Sequence, residues 1–286
     1  MSRLLYYILL KPLSFLPLSI LYWISNSLYF LSLIGIAYRK KVVQSNLKFS
    51  FPNRPETWRK TIERKFYRHF YDLMAESIKL FSITKEEAIA RFRVTNPEIF
   101  EKLAETNRSA VLTGGHYQNW ELFAVATAPQ IKHDLLGIYT PLTDPFLEQK
   151  FSESRSRLGL VLVPKKQVKQ YFEEYKNTLS VTTFAIDQSP RKNQKVYWTD
   201  FLGQETAVHF GAEKYAKDYN RVVIFGKATK PKRGYYELSF EVLEENPSTS
   251  VEGSIIEKAT KKLEEQIIEA PEFWLWTHKR WKLTKV

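Results

Sequence analysis

After residue 50, the apolar and polar positions along the chain form two kinds of pattern, one typical of helices and one typical of strands. Residues 55–81 carry apolar side chains three or four positions apart, which predicts a long amphipathic helix. Short apolar runs of strand length then recur at residues 91–95, 109–113, 135–139, 158–163, 179–186, 196–202, 221–228 and 234–242. Helical patterns occur between and after them, at residues 97–105, 119–128, 143–157, 166–176, 206–218, 250–269 and 271–277. This alternation predicts an α/β fold with a mainly parallel or mixed central sheet covered by helices.

The N-terminal pattern is different because it is almost continuously apolar. No charged residue occurs from 12 to 38, and a basic triplet follows at 39–41. Since a bilayer is crossed by roughly 20 apolar residues, this run predicts a hydrophobic membrane-anchor helix. A cleaved secretory signal is disfavoured because no small-residue cleavage site follows, and a buried core helix is a less favoured interpretation. Pro12 and Pro17 would kink or delay the helix, so burial in the membrane interface stays open as an alternative.

Composition narrows the chemistry and the partners. The chain has no cysteine, which excludes thiol nucleophiles, disulfides and cysteine-ligated metals. Its formal net charge of +12 predicts attraction to an anionic partner, whether an acidic protein, a phosphorylated substrate, nucleic acid or a membrane. The basic triplet favours a cytoplasmic position for the larger part of the chain. We therefore predict two parts, an N-terminal anchor at residues 1–41 and one globular domain at residues 42–286.

Residues 114–121 read Gly-Gly-His-Tyr-Gln-Asn-Trp-Glu and lie where a predicted strand ends and a predicted helix begins. In α/β sheets such a loop is the usual ligand site, and Gly114 and Gly115 allow a sharp turn. If His116 precedes the first helical turn and Glu121 lies within it, the glutamate can accept a hydrogen bond from one imidazole nitrogen. The other nitrogen can then take a proton from a hydroxyl. A half-buried structural histidine is the alternative interpretation.

The same stretch resembles the signature of the lysophospholipid acyltransferase superfamily, specifically its bacterial lipid A biosynthesis acyltransferase branch. Other segments fall in the order of that family. They are the hydrophobic N-terminus, Val43-Gln44-Ser45-Asn46-Leu47 running to Phe51-Pro52, Asp187-Gln188, Phe201-Leu202-Gly203, and the tryptophan-rich residues 271–281. The resemblance covers nearly the whole chain, and the set of segments is more specific than the first segment alone.

The resemblance implies an enzyme that moves a fatty acyl chain from an acyl-thioester to a hydroxyl of an anionic lipid A precursor. Acyl carrier protein is the expected donor, and neither a metal nor a cofactor is expected. The implied location is the cytoplasmic face of the bacterial inner membrane, where residues 42–286 would form the acyltransferase catalytic domain. In this scheme His116 is the general base, and Glu121 orients it and compensates its charge.

The resemblance also implies substrate-binding residues. Arg157 matches the arginine of the family's second block and is expected to hold phosphate or carboxylate, with Arg155 as the less favoured neighbour. Asp187 matches the acidic position of the third block. Asn119 and Gln188 are expected to contact substrate as well.

Basic residues are expected to provide a docking surface for the acidic acyl carrier protein by electrostatic steering. They include Lys165, Lys166, Lys169, Arg191 and Lys192. The last two belong to a Ser-Pro-Arg-Lys stretch, residues 189–192, that replaces a glycine often found after the Asp-Gln pair in the family. The shape of that loop, and with it the choice of acceptor, is therefore in question.

Several other classes are disfavoured because their motifs are absent from the sequence. The chain has no Gly-x-Ser-x-Gly elbow, no His-Glu-x-x-His pair, no P-loop and no dinucleotide fingerprint. Two alternatives stay open: an acyltransferase for another lysolipid, glycolipid or aminolipid, and a membrane-tethered basic binding or scaffold protein without catalysis. No nucleic-acid module is recognisable, so no nucleic-acid partner is expected. The C-terminal tryptophans predict a packed helix with an interfacial aromatic patch, and His278 is disfavoured as a second catalytic residue.

Overall fold

The computed structural model describes residues 1–34, 37–191 and 195–285. The strands are β1 Phe92–Val94, β2 Ala110–Gly114, β3 Asp134–Tyr139, β4 Val161–Pro164, β5 Ser180–Ala185, β6 Val196–Phe201, β7 Gln204–His209, β8 Val222–Lys232 and β9 Tyr235–Glu244. The α-helices are α1 Ser2–Leu4, α2 Lys11–Phe15, α3 Leu18–Leu33, α4 Lys40–Ser50, α5 Glu56–Lys79, α6 Lys85–Arg91, α7 Glu98–Glu105, α8 Trp120–Ala126, α9 Pro145–Ser156, α10 Val168–Glu174, α11 Gly211–Asp218 and α12 Ser254–Glu269. A π-helical turn, Leu5–Leu10, joins α1 to α2.

Seven strands form one mixed sheet in the order β1-β9-β8-β2-β5-β3-β4. Neighbouring strands are parallel except for the antiparallel pair β8 and β9. Parallel neighbours need crossover connections, and the helices that supply them cover both faces. Along β2, Ala110 and Leu112 pack into one apolar cluster and Val111 into the other. The predicted α/β fold with a helix-covered central sheet is confirmed.

The strands β6 and β7 form a separate antiparallel hairpin. Its two turn residues, Leu202 and Gly203, have φ values of 53° and 69°, as a two-residue turn with both residues in the left-handed region requires. The prediction of a helix over residues 206–218 was therefore wrong for its first residues. Strand β7 runs to His209, and α11 begins only at Gly211.

The C-terminal residues 271–281, which we call the C-terminal strap, consist of turns and an isolated bridge at Trp274. Only Pro271–Phe273 forms a single 3₁₀ turn, so the predicted helix over 271–277 was wrong. Trp274 and Trp276 are 2% and 0% exposed, so these rings belong to the core of the domain and not to an interfacial patch. The indole N–H of Trp276 donates to the carbonyl of Pro271 at 2.6 Å, which holds the strap in this bend.

The apolar N-terminus is broken at Pro17, whose backbone is extended and which precedes the first residue of α3. A proline ring cannot donate the helical hydrogen bond that would continue α2. Among the described residues no single helix is both long and apolar enough to cross a membrane, whereas the helices Ser2–Phe15 and Leu18–Leu33 meet that test together, bent by 119°. The prediction of one continuous anchor helix was therefore wrong. Residues 35 and 36 of the predicted run lie outside the described part.

Helix α3 packs on α5 through one face. Leu18 and Leu21 are buried against Ala75. The N-terminal helices also expose large apolar side chains, namely Leu4, Leu5, Tyr7, Ile8, Leu9, Phe15, Ile20, Trp23, Leu28, Phe30, Leu31 and Leu33. The N-terminal helices therefore share a core with the globular domain and present an apolar outer surface.

Candidate active site

The parallel pairing of β2 with β5 brings together two segments that are far apart in sequence. Gly114 at the end of β2 stands opposite Ala185 at the end of β5, and the N–H of Ile186 donates to the carbonyl of Gly114 at 2.9 Å. Each chain then leaves the sheet at the same edge. Consequently His116 and Asp187, each two residues beyond its strand, lie side by side.

Asp187 is almost fully buried, and three donors approach its carboxylate. Oδ1 faces His116 Nδ1 at 2.8 Å, and Oδ2 accepts from the His116 backbone N–H at 2.8 Å. The indole N–H of Trp274 donates to Oδ2 at 2.9 Å. Because a carboxylate only accepts, the Nδ1 atom carries the proton, and Nε2 of the neutral ring has a free lone pair. Asp187 therefore selects the tautomer that a general base needs.

Gly115 permits this close approach. A Cβ atom at this position would lie 2.8 Å from a methyl group of Leu263 and 3.3 Å from Cγ of Asp187. A side chain here would push the loop away from the carboxylate. The glycine that the sequence suggested for a sharp turn thus serves close packing at the site.

The C-terminal strap holds residues 114–121, which we call the catalytic loop because they carry the candidate base His116, from the other side. The N–H of Leu275 donates to the carbonyl of His116 at 3.1 Å, and the N–H of Gln118 donates to the carbonyl of Phe273 at 3.0 Å. His278 Nε2 accepts from the Ser189 N–H at 3.0 Å. The strap therefore ties together the two loops that carry His116 and Asp187.

His116 differs electrostatically from the other four histidines, all of which lie in the described part. Burial lowers the pKa of His116, but the Asp187 carboxylate, its hydrogen bond and the charge of Glu121 outweigh burial and raise the pKa above its ordinary value of 6.5. Burial lowers the pKa of His209 and of His278 to about 4, and it also lowers those of His69 and His133. Of the five histidines, only the one beside Asp187 has its pKa raised.

Glu121 does not make the hydrogen bond to His116 that we expected. It forms a two-pronged ion pair with Arg155, at 2.8 Å from Nε to Oε2 and 2.7 Å from NH2 to Oε1. Helix α8 begins at Trp120, and the acidic side chain points toward α9, which carries the arginine. Glu121 influences His116 through its charge alone, and Asp187 takes the orienting position.

The other three predicted substrate-binding residues are placed differently from one another. Gln188 points its amide nitrogen at His116 Nε2, 3.3 Å away, and so lies in the site. Asn119 is buried: its Oδ1 caps helix α8 by accepting from the N–H of Leu122 at 2.8 Å, and its amide donates to Glu76. Arg157 donates to the carbonyls of Leu80 and Ile83 and is not brought to His116 by any contact among the described residues.

A cavity of about 110 Å³ opens beside the catalytic loop. The walls are mostly apolar and come from β2, β5, β8 and β9 and from helix α8, including Leu112, Trp120, Phe123, Gly226 and Leu238. The Trp120 ring also contacts the His116 ring edge-on, at 5.5 Å between centroids. Within the described ranges no group of three or more acidic or histidine side chains could hold a metal ion.

Comparison with known proteins supports the family resemblance seen in the sequence. A profile of the family described as Bacterial lipid A biosynthesis acyltransferase matches residues 2–283. The chain belongs to this family. It is therefore an acyltransferase of lipid A biosynthesis, with an acyl donor and a lipid acceptor as substrates. It is also similar to the Lipid A biosynthesis lauroyltransferase of Escherichia coli (strain K12), with 25% identity over 270 residues that cover 93% of this chain and 87% of that protein.

Sequence reasoning on this acyltransferase missed two features of the site. Trp274 was assigned to a surface patch, and the role of Asp187 toward His116 was not foreseen. The available signal was that His116 and Asp187 each lie shortly after a predicted strand, residues 109–113 and 179–186. To infer from this signal that the two side chains meet, the order of the strands in the sheet was also needed.

The pairing with Asp187 predicts the titration of His116 in the acyltransferase. By nuclear magnetic resonance of labelled histidine, His116 should titrate above 6.5, because the carboxylate stabilises the imidazolium. Asp187→Asn should lower this pKa by removing the charge. Asp218→Asn, at an exposed ion pair with Lys214, is the matched control and should leave it unchanged. A His116 pKa that is unchanged by Asp187→Asn would contradict the assigned pairing.

Proposed function

We propose that this acyltransferase moves a fatty acyl chain from an acyl-thioester, carried by acyl carrier protein, to a hydroxyl of a lipid A precursor. His116 acts as the general base in this proposal. The observation that supports it most directly is the bond between His116 Nδ1 and the buried carboxylate of Asp187. This bond leaves Nε2 as the proton acceptor, next to the amide of Gln188.

The chemistry follows from that tautomer. The acceptor hydroxyl takes the place of the Gln188 amide at Nε2 and gives its proton to His116 as its oxygen attacks the thioester carbonyl. Asp187 stabilises the imidazolium that forms. The tetrahedral intermediate collapses, the carbon–sulfur bond breaks, and the thiolate takes the proton from His116. No covalent acyl-enzyme is needed because the thioester is already activated.

Glu121 keeps a role in this proposal, but not as the direct partner of His116. Its negative charge raises the pKa of the imidazole from a distance, and its ion pair fixes Arg155 at the site. Of the two arginines considered for binding an anionic group of a substrate, Arg155 is the one whose ion-pair partner acts electrostatically on His116. The Arg157 side chain donates to the backbone carbonyls of Leu80 and Ile83. These bonds give little support to its predicted contact with substrate.

The apolar cavity supports the assignment of a fatty acyl chain. Its walls of leucine, phenylalanine and tryptophan side chains would remove methylene groups from water, at about 0.8 kcal/mol for each buried group. Because the cavity adjoins His116, a chain lying in it would bring its thioester to the base. We propose that the acyl chain of the donor enters here.

Loss of the base should remove most of the activity. His116→Ala should lower turnover with acyl carrier protein and lipid acceptor in mixed micelles by at least about 100-fold. Asp187→Asn should be comparably impaired because the amide cannot hold the required tautomer, and Glu121→Gln should be impaired less.

In the native enzyme kcat/KM should fall as pH drops through the raised pKa of His116, because the base becomes protonated.

The control for these substitutions is Asp218→Asn, which should retain native turnover. The double variant of His116→Ala and Asp187→Asn should be little worse than the worse single variant, because the two residues act as a unit. Near-native turnover by a folded His116→Ala protein would rule out the mechanism.

The donor is proposed to dock by charge. Lys165, Lys166 and Lys169 are exposed, and within the described part of the chain none of the three forms an ion pair with an acidic side chain. Lys192, also predicted for this surface, lies outside the described residues. The KM for acyl carrier protein should rise with ionic strength, and Lys166→Glu should raise it more than Lys102→Glu, an exposed control on α7. A donor KM indifferent to salt would count against carrier-protein docking and favour another donor.

The N-terminal helices are proposed to hold the enzyme at the cytoplasmic face of the bacterial inner membrane by burying their exposed apolar side chains in the interface. Full-length protein should sediment with membranes and stay bound in high salt. Trp23→Glu should weaken binding because Trp23 is 71% exposed. Release by salt alone would show that attachment is only electrostatic.

The acceptor could also be another lysolipid, glycolipid or aminolipid. The loop after Asp187, where Ser189 and Pro190 replace the expected glycine, keeps this alternative open. Mass spectrometry of lipid extracts from cells lacking the protein distinguishes these acceptors by the lipid that loses an acyl chain.

A further inference from the structure

A second buried carboxylate, Glu76 of helix α5, lies behind the catalytic loop. The Glu76 residue is 4% exposed. Its Oε2 accepts from the Asn119 amide at 2.5 Å and from the Tyr236 hydroxyl at 2.8 Å, and its Oε1 accepts from the Tyr22 hydroxyl at 2.7 Å. These partners come from the catalytic loop, from β9 and from the N-terminal helix α3.

Each partner of Glu76 is needed because a buried carboxylate is costly to leave without hydrogen bonds. Tyr22 is the donor from the N-terminal helices. It reaches Glu76 over Gly234, where φ is 75° and an added Cβ would lie within 3.2 Å of the tyrosine ring. The turn between β8 and β9 is therefore shaped to admit this ring.

One turn earlier on α5, a second set of bonds fixes the same helix. The Ser25 hydroxyl donates to Asp72 at 2.6 Å, and Arg233 donates to Asp72 at 2.9 Å and to Asn26 at 2.8 Å. The polar face of α3 is thus bonded to α5 and to the β8–β9 turn. Movement of α3 would disturb Tyr22 and Glu76 together.

Asn119 connects Glu76 to the catalytic loop. Its amide group donates to Glu76, while its Oδ1 caps α8 through the N–H of Leu122. Asn119 lies three residues after His116 and two before Glu121. A change in the position of Glu76 would therefore shift the residues that surround the base.

We propose that Glu76 is a positioning residue that fixes the catalytic loop to the N-terminal helices through Asn119 and Tyr22. Helix α3 is then part of the active-site architecture as well as a membrane attachment. Glu76 touches neither substrate nor reacting atoms. The catalytic consequence rests on the function proposed above, whereas the structural coupling does not.

The test uses the full-length protein in detergent micelles and compares Tyr22→Phe with Tyr29→Phe. The two changes are chemically identical and lie on the same helix, but the Tyr29 hydroxyl makes no hydrogen bond within the described residues. Amide hydrogen exchange in residues 116–126, which contain the capped N–H of Leu122, should become faster in Tyr22→Phe. Exchange in residues 134–139 of β3 should not change, and Tyr29→Phe should match the native protein in both segments.

Activity provides the second measurement. Tyr22→Phe should lower kcat by about threefold to thirtyfold, the range expected for coupling through a network, while the KM for the donor and sedimentation with vesicles of anionic phospholipid stay native. Glu76→Gln should retain more activity than Glu76→Leu, because the amide oxygen can still accept from Asn119.

The outcomes separate the coupling from the enzymatic function. Faster exchange confined to residues 116–126 supports the coupling even if acyl transfer is not the reaction. Exchange and kcat that stay native in Tyr22→Phe would overturn the proposal. Equal acceleration of exchange in residues 116–126 and 134–139 would also overturn it, because Tyr22 would then contribute only to global stability.

Discussion

The rest of the site depends on the hydrogen bonds that surround the buried carboxylate of Asp187. A charge removed from water is tolerated only when donors surround it, and here the donors are the backbone and ring of His116 and the indole of Trp274. Burial raises the pKa of Asp187, but these partners outweigh it and lower the pKa to about 2. The carboxylate therefore stays ionised at neutral pH and holds three parts of the chain together.

The catalytic loop is held by two buried carboxylates that approach it from different elements. Asp187, beyond β5, binds the start of the loop at His116, and Glu76, in α5, binds its end at Asn119. The C-terminal strap adds backbone hydrogen bonds between these two points. A loop fixed in this way keeps its histidine in one orientation, which is the preorganisation that acid–base catalysis requires.

Two carboxylates near His116 differ in what they contact, and this difference separates their roles. Asp187 shares a hydrogen bond with the ring and decides which nitrogen carries the proton. Glu121 is paired with Arg155, so its charge is partly compensated and its geometry is set by α9. The spacing of His116 and Glu121 in sequence suggested a direct pair, but their positions in the fold place a different acid at the ring.

Much of this protein could be predicted from its sequence because the relevant signals are local. The alternation of strand and helix patterns identified the α/β fold, the Gly-Gly-His stretch identified the candidate base, and the ordered set of segments identified the family. Local patterns failed where a turn or a packing partner outweighed them. At Leu202 and Gly203 a tight turn started a strand in place of a helix, and at Trp274 and Trp276 burial of the two rings accompanied an irregular strap in place of a helix.

Tertiary structure alone decided which side chains meet. His116 and Asp187 are 71 residues apart, and Asn119 and Glu76 are 43 apart; no spacing rule along the chain reaches over such distances. The first pair depends on β2 and β5 being neighbours in the sheet, and the second on how α5 packs behind the catalytic loop. Sequence determined the residues with the right chemistry, and the order of strands and the packing of helices determined their partners, because hydrogen bonds depend on distance in space.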